Sequence, residues 1–409
     1  MITAAMEPVL PSTGDAALED LSARLIATAN RLAGQINPIV REAIGDLVRS
    51  MNCYYSNLIE GHDTHPRDIE RALANEYSQN AQKRVLQHEA RAHIEVQKMI
   101  DFRTDLSAPV TSVEYIHWVH REFCSRLPDD LLWITDPENK QKLHVVPGNN
   151  RVVDVVVGRH VPPAASDLRA YLTRFSEAYD GARLSSVQKI VAVAAAHHRL
   201  LWIHPFLDGN GRVARLISHA MLRDAQVGSS LWSVARGLSR RVTDYRAALA
   251  DADSVRRGDL DGRGNLSLSA LKDFCMFFLE SAIDQVEFMQ SILQPSELLR
   301  RIKLHVDDEI SAGILPRGSM GLLREALLAG ELERGRAADL TGYQERRARD
   351  VLSALVARGL LVSTTPKGPV RLGFPIDVLE RWLPNLYPGN VISGHEHLWT
   401  HPDRRLRNH

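Results

Sequence analysis

The chain lacks an excess of charge of either sign: 50 Lys and Arg face 50 Asp and Glu, for a formal net charge of zero. Net charge therefore argues for neither nucleic acid nor membrane, and any such contact must come from local clustering. Cysteine is scarce. Cys53, Cys124 and Cys275 are far apart and lack metal-ligand spacing; they read as reduced core thiols, which points to the cytoplasm. The apolar run Val191–Ile203 is short and holds two histidines and an arginine, so no membrane span is expected. Met1–Asp15 has no basic stretch followed by an apolar one, and no secretory signal is expected. No repeat of 20–50 residues is apparent. The absence of G-x-x-x-x-G-K-[ST] excludes P-loop chemistry. What is present, 44% apolar and 24% charged residues over 409 positions, suits a soluble chain of two or three domains.

The most informative stretch is His204-Pro205-Phe206-Leu207-Asp208-Gly209-Asn210-Gly211-Arg212-Val213-Ala214-Arg215. An apolar run to Ile203 reads as a buried helix that ends where Pro205 disfavours αR at His204. Asp208 to Gly211 then forms a turn whose glycines permit positive φ and close approach of a ligand. A second helix, Arg212–Leu222, places that turn at its N-terminus, where free N–H groups and the helix dipole favour phosphate. Arg212 and Arg215, at i and i+3, can face one anion. Asp208 offers the sparse carboxylate ligation Mg²⁺ accepts. His204 is placed to take a proton from an attacking hydroxyl.

This stretch resembles the Fic family signature H-P-F-x-D-G-N-G-R-x-x-R, with every defined position present. The resemblance implies transfer of AMP from ATP to a Tyr, Thr or Ser hydroxyl of a target protein. By that likeness His204 is the base and Asp208 holds Mg²⁺. Gly209, Asn210 and Gly211 line the anion hole, Arg212 and Arg215 bind the distal phosphates, and Phe206 anchors the loop in the core. Upstream, Ser56 and Glu60 fall one turn apart on a helix starting at Pro38 and running to about Gly61. Ser-x-x-x-Glu-Gly resembles the family's inhibitory helix, in which the glutamate pairs with the second arginine, here Arg215, at the γ-phosphate's place. Asp244–Leu249 resembles the family's Tyr-containing helix bordering adenine, making Tyr245 a nucleotide candidate.

Between Lys142 and Pro163 the pattern changes. Val145-Val146 and Val152–Val157 flank Pro147-Gly148-Asn149-Asn150, which reads as strand, turn, strand. The segment, with Pro-Gly-x-x-Arg and Pro162-Pro163, is similar to the family's β-hairpin flap. His197 and His198 point about 100° apart on their helix and read as structural. The Asp259–Ala270 loop has Arg263 and Ala270 where a calcium loop needs oxygen ligands, so calcium is not expected. Further on, helices at Leu322–Ala329, Arg336–Leu340 and Tyr343–Arg358 precede a hairpin with its tip at Ser363–Pro369, a pattern resembling a winged helix. Arg346, Arg347 and Arg349 on its recognition helix, with Lys367 on the wing, are the candidate DNA contacts. In the tail, Gly394-His395-Glu396-His397 and His401 read as a flexible end.

The expected architecture is mainly α: a Fic-type helical catalytic domain with a β-hairpin flap, plus a small C-terminal winged helix-turn-helix. The expected boundaries are 1–105 for an N-terminal helical region with the inhibitory helix at about 39–61, 106–292 for the catalytic domain, 293–316 for a linker helix, 317–375 for the winged helix and 376–409 for a tail. The expected activity is protein adenylyl transfer restrained by Glu60, using ATP and Mg²⁺ on a target protein. Two alternatives stand beside it: removal of AMP from a modified protein, and DNA-binding regulation through the winged helix. Homodimerisation is left open.

Overall fold

The computed structural model describes residues 2–135 and 140–388, and most of these are helical. These described residues fall into two compact units, one drawn from 2–64 and 68–295, the other from 65–67 and 296–388. The first unit opens with α1 (Ala16–Gln35), α2 (Pro38–Ile59), α3 (Pro66–Leu73), α4 (Ala81–Asp101) and α5 (Val113–Cys124). Strands β1 (Trp133–Thr135) and β2 (Lys142–His144) follow, then α6 (Leu168–Ala178), α7 (Ser186–Ile203), α8 (Asn210–Asp224), α9 (Ala235–Arg240), α10 (Val242–Ala252) and α11 (Leu268–Ile292). Its core is built from the pairs α1–α11, α7–α8 and α10–α11, with α2 against α4 and α9, and α5 against α4 and α8. The stretches 1–105 and 106–292 thus share one compact unit, because α2 and α4 supply part of the wall around α8.

Local chemistry explains the helix ends that matter. Asn37 caps α2 by accepting from the Ile39 N–H, and Pro38 takes the first helical position, where a missing N–H costs nothing. Ser185 and Gln188 form a reciprocal capping box at the start of α7. Ser112 caps α5 by accepting from the Tyr115 N–H.

The strands depart from expectation. The hairpin is β1 with β2, in the register Trp133↔His144, Ile134↔Leu143 and Thr135↔Lys142. The valines at 152–157 form no ladder, only a turn closed by paired hydrogen bonds between Val157 and His160. Arg151 is the reason: its buried guanidinium draws three carbonyls around itself and holds the segment as a wrapped loop. Val152, Val156 and Val161 are exposed.

The second unit contains α12 (Pro295–Ser311) from Ser296 onward, α13 (Ser319–Ala329), β3 (Glu331–Leu332), α14 (Ala337–Thr341), α15 (Glu345–Ala357), β4 (Leu361–Val362), β5 (Val370–Leu372) and α16 (Ile376–Trp382). Its antiparallel sheet has the order β3-β5-β4, compatible with a helix-turn-helix bearing a wing. The stretch expected as a tail from 376 begins with α16 instead. Ile376, Val378, Leu379 and Trp382 are buried, and the Trp382 indole donates to His305 at 2.8 Å. Those apolar side chains complete the unit's core. Gly394, His395, Glu396, His397 and His401 lie outside the described residues.

Candidate active site

The turn between α7 and α8 is held by its own backbone. His204 caps α7 in the left-handed region, φ 48°, as the following proline requires it to leave αR. That conformation costs a non-glycine residue about 1–2 kcal/mol. Arg151 offsets it by donating Nε to the His204 carbonyl at 2.9 Å, while Nη1 and Nη2 hold the Val153 and Pro163 carbonyls. Gly209, φ 79°, begins α8, a conformation that favours glycine.

The loop interior is tied down by Asn210. Its Oδ1 accepts from the Phe206 N–H at 2.9 Å and its Nδ2 donates to the Phe206 carbonyl at 2.8 Å. The Asn210 side chain therefore braces the turn and only its backbone N–H faces outward duty. Phe206 is fully buried and stacks on His120 at 3.9 Å. The first-turn N–H groups of Asn210, Gly211 and Arg212 have no intrahelical partner, and they make no hydrogen bond among the described residues. Such a helix end favours an anion.

Burial, with the charges of Arg151 and His160, holds the His204 imidazole down to about 4. It is neutral at pH 7. A neutral imidazole carries one unprotonated ring nitrogen, which can accept a proton. Asp208 is exposed and spends Oδ1 on the Gly209 N–H at 2.7 Å. Its other oxygen suits a divalent cation whose remaining ligands are phosphates and water, so the donor set fits Mg²⁺.

Both arginines are buried and both meet carboxylates. Arg215 donates Nε to Ser56 Oγ at 2.8 Å, and Nη2 to the Ser56 carbonyl at 3.2 Å and to Glu60 Oε1 at 2.5 Å. Burial pushes the Glu60 carboxyl up, but the Arg215 charge and hydrogen bond, with Arg212 and His62, outweigh it and hold the group below its usual range. The same carboxylate oxygen lies so close to Gly211 that any Cβ there would collide with it. Arg212 donates Nη2 to Glu89 Oε2 at 3.0 Å, where His62 Nδ1 lies 3.2 Å from the same nitrogen, and its guanidinium is 5.2 Å over the Phe123 ring.

The structure thus brings His204, Asp208, Gly209, Gly211, Arg212, Arg215, Ser56 and Glu60 to one end of α8. Tyr245 stands behind them: it is 2% exposed, and its hydroxyl meets His197 Nε2 at 2.7 Å. His197 is committed on its other side to Ser218, and His198 to the Leu249 carbonyl. Arg346, Arg347, Arg349 and Lys367 belong to the second unit. Sequence reasoning missed Glu89 and His62, for which neither spacing nor composition gave a signal, and His120, which reads as one more residue on an aromatic helix.

Residues 109–222 match the family model described as Fic/DOC family. This stretch is a Fic/DOC domain. Protein adenylyltransferase Fic of Drosophila grimshawi is 32% identical over 131 residues, covering 31% of this chain and 26% of that protein. The Drosophila willistoni protein of the same name is 41% identical over 85 residues, 20% of this chain and 17% of its own length. The chain spans about a quarter or less of these relatives. The fold is similar to that of a Fic family protein from Desulfovibrio desulfuricans G20, with TM-score 0.52 and 19% identity over 90% of this chain and 98% of that one. The Fic domain proper begins near α5, so Ser56, Glu60, His62 and Glu89 reach its loop from outside the matched stretch.

Proposed function

We propose that the chain is a protein adenylyltransferase using ATP, held in check by Glu60. The observation that carries this reading is the joining, on one short turn, of a neutral imidazole at His204 to the free amides of α8. His204 takes the proton of a Tyr, Thr or Ser hydroxyl as its oxygen attacks the α-phosphorus. The bond from oxygen to the α-phosphorus forms, the bond to the β-phosphate oxygen breaks, and pyrophosphate leaves. The loop amides and the two arginines oppose the charge that develops on the phosphates. When bound at Asp208, Mg²⁺ would neutralise part of the same charge. Glu60 stands where Arg215 would meet the distal phosphate, and its carboxylate repels that phosphate. We place the activity in the cytoplasm, in keeping with three buried free cysteines; among the described residues no helix is long and apolar enough to cross a membrane.

The test is mass spectrometry of lysate proteins after incubation with ATP, Mg²⁺ and Glu60→Gly protein. AMP on hydroxyl side chains, absent with Glu60→Gly/His204→Ala, is expected. Loss of AMP from modified proteins, with none added from ATP, would replace transfer by removal.

A second activity is favoured by one observation. Residues 317–375 carry ten Lys and Arg against six Asp and Glu, although the whole chain is neutral. Glu325, Glu331 and Glu345 are paired with Arg336, Arg371 and Arg349, whereas Arg346, Arg347 and Lys367 are exposed. We propose that α15 and the β4–β5 wing contact DNA phosphates through these three. Each replaced by alanine should weaken retardation of duplex DNA and reduce its salt dependence; no retardation at low salt would reject the contact.

A further inference from the structure

The two signature arginines are held in different ways. Arg215 is held on two nitrogens: Ser56 takes Nε, and Ser56 and Glu60 share Nη2. Arg212 is half open. Glu89 Oε2 and His62 Nδ1 both engage the single nitrogen Nη2, while Nε and Nη1 make no hydrogen bond among the described residues. Nε is fully buried. The Phe123 ring lies beneath the guanidinium, its centroid 5.2 Å away. Glu89 itself is 8% exposed on α4, and its Oε2 also meets His62 at 3.0 Å.

We propose that Glu89 is a positioning residue for phosphate binding: it grips Arg212 by Nη2 and leaves Nη1 to meet the nucleotide. The proposal rests on the reading of the loop as a nucleotide site. A carboxylate that competed with phosphate, as Glu60 does, would sit against the α8 amides. Glu60 meets that description through its contact with Gly211, whereas Glu89 approaches from α4. Its carboxylate also compensates the buried Arg212 charge before nucleotide arrives, so the guanidinium stays in place and charged. A guanidinium fixed in advance loses less side-chain freedom when phosphate binds. The two helices outside the matched Fic stretch then act in opposite senses, α2 closing one arginine and α4 aiming the other.

The test is ATP affinity by titration calorimetry on the full chain in the Glu60→Gly background, which removes the competing carboxylate. Glu89→Gln, nearly isosteric, should weaken ATP about tenfold, the loss of one well-aimed charge-assisted contact. In Glu60→Gly/Arg212→Ala the same change should cost less than about twofold, because sites acting through one group do not add. If Glu89→Gln fails to fold, Glu89→Asp carries the same comparison with a shorter reach. Unchanged or tighter ATP binding overturns the proposal, as does an equal loss with and without Arg212. A Glu60→Gly parent that binds no ATP overturns the nucleotide reading as well, whereas a parent that binds ATP indifferent to Glu89 overturns this proposal alone.

Discussion

Replacing Glu60 by glycine should have two effects of opposite sign. The pair it breaks spans 2.5 Å, with the Arg215 side chain 3% exposed and that of Glu60 35% exposed. Breaking a fully buried pair costs about 3–5 kcal/mol. Here a third of the Glu60 side chain faces water and Ser56 keeps both its hydrogen bonds to Arg215, so screening brings the loss to about 1–2 kcal/mol. Thermal unfolding should move down by a few degrees. The nucleotide gains what the fold loses. Arg215 freed for a distal phosphate adds a charge-assisted contact of about 1.5–3 kcal/mol, or about 10- to 150-fold in ATP affinity. Calorimetry and thermal unfolding in one buffer, with and without ATP, measure both quantities. A variant that loses stability yet binds ATP no tighter would refute the reasoning: Glu60 would then be a structural tie and not a rival of the phosphate.

Gly211→Ala should destabilise the parent by about 1–3 kcal/mol, because its Cβ meets the Glu60 carboxylate; in Glu60→Gly the cost should shrink to a few tenths, read by denaturant unfolding. Asn210→Ala removes both bonds to the Phe206 backbone and should cost about 2–4 kcal/mol while disordering the loop, so that labelling falls with stability. Acid should weaken the fold early. Burial holds His93 and His197 down to about 3 and His120 to about 4, so between pH 6.5 and those values the unfolded chain binds more protons. Stability is then fully present above pH 6.5 and lost as pH falls, by about 1.4 kcal/mol per unit for each histidine at most. Glu60, Glu89 and Asp101, also held low, add to the loss in the same direction at lower pH. A midpoint temperature flat from pH 7 to 5 would contradict the burial.

The signature loop was legible because its chemistry is local. Pro205 ends α7 at His204 and the glycines start α8, both readable from neighbours in the chain, whereas the left-handed conformation of His204 was not, since a following proline alone favours extended backbone. The Ser56–Glu60 spacing gave the correct helix face, and the family resemblance supplied its partner across 155 positions. The Arg212–Glu89 contact was not legible, since it spans two helices and any of several polar residues on α4 could have made it. The valine run misled for a physical reason: β-branching favours strands, but the buried Arg151 ties the run at Val153 to Pro163 and to His204, and the segment wraps around that guanidinium as a loop. The family resemblance assigned Asn210 and Tyr245 to the nucleotide; the structure adds that the Asn210 side chain braces the Phe206 backbone and that the Tyr245 hydroxyl meets His197.

The most direct measurement is label transfer from ATP carrying ³²P at the α position or at the γ position, with Mg²⁺ and lysate. Wild type, Glu60→Gly and Glu60→Gly/His204→Ala are compared. Strong protein labelling by Glu60→Gly from the α position alone is expected, with weak labelling by wild type and a fall of about 10²–10⁴ or more on loss of His204. Labelling from the γ position, or equal labelling with and without His204, would contradict AMP transfer through His204.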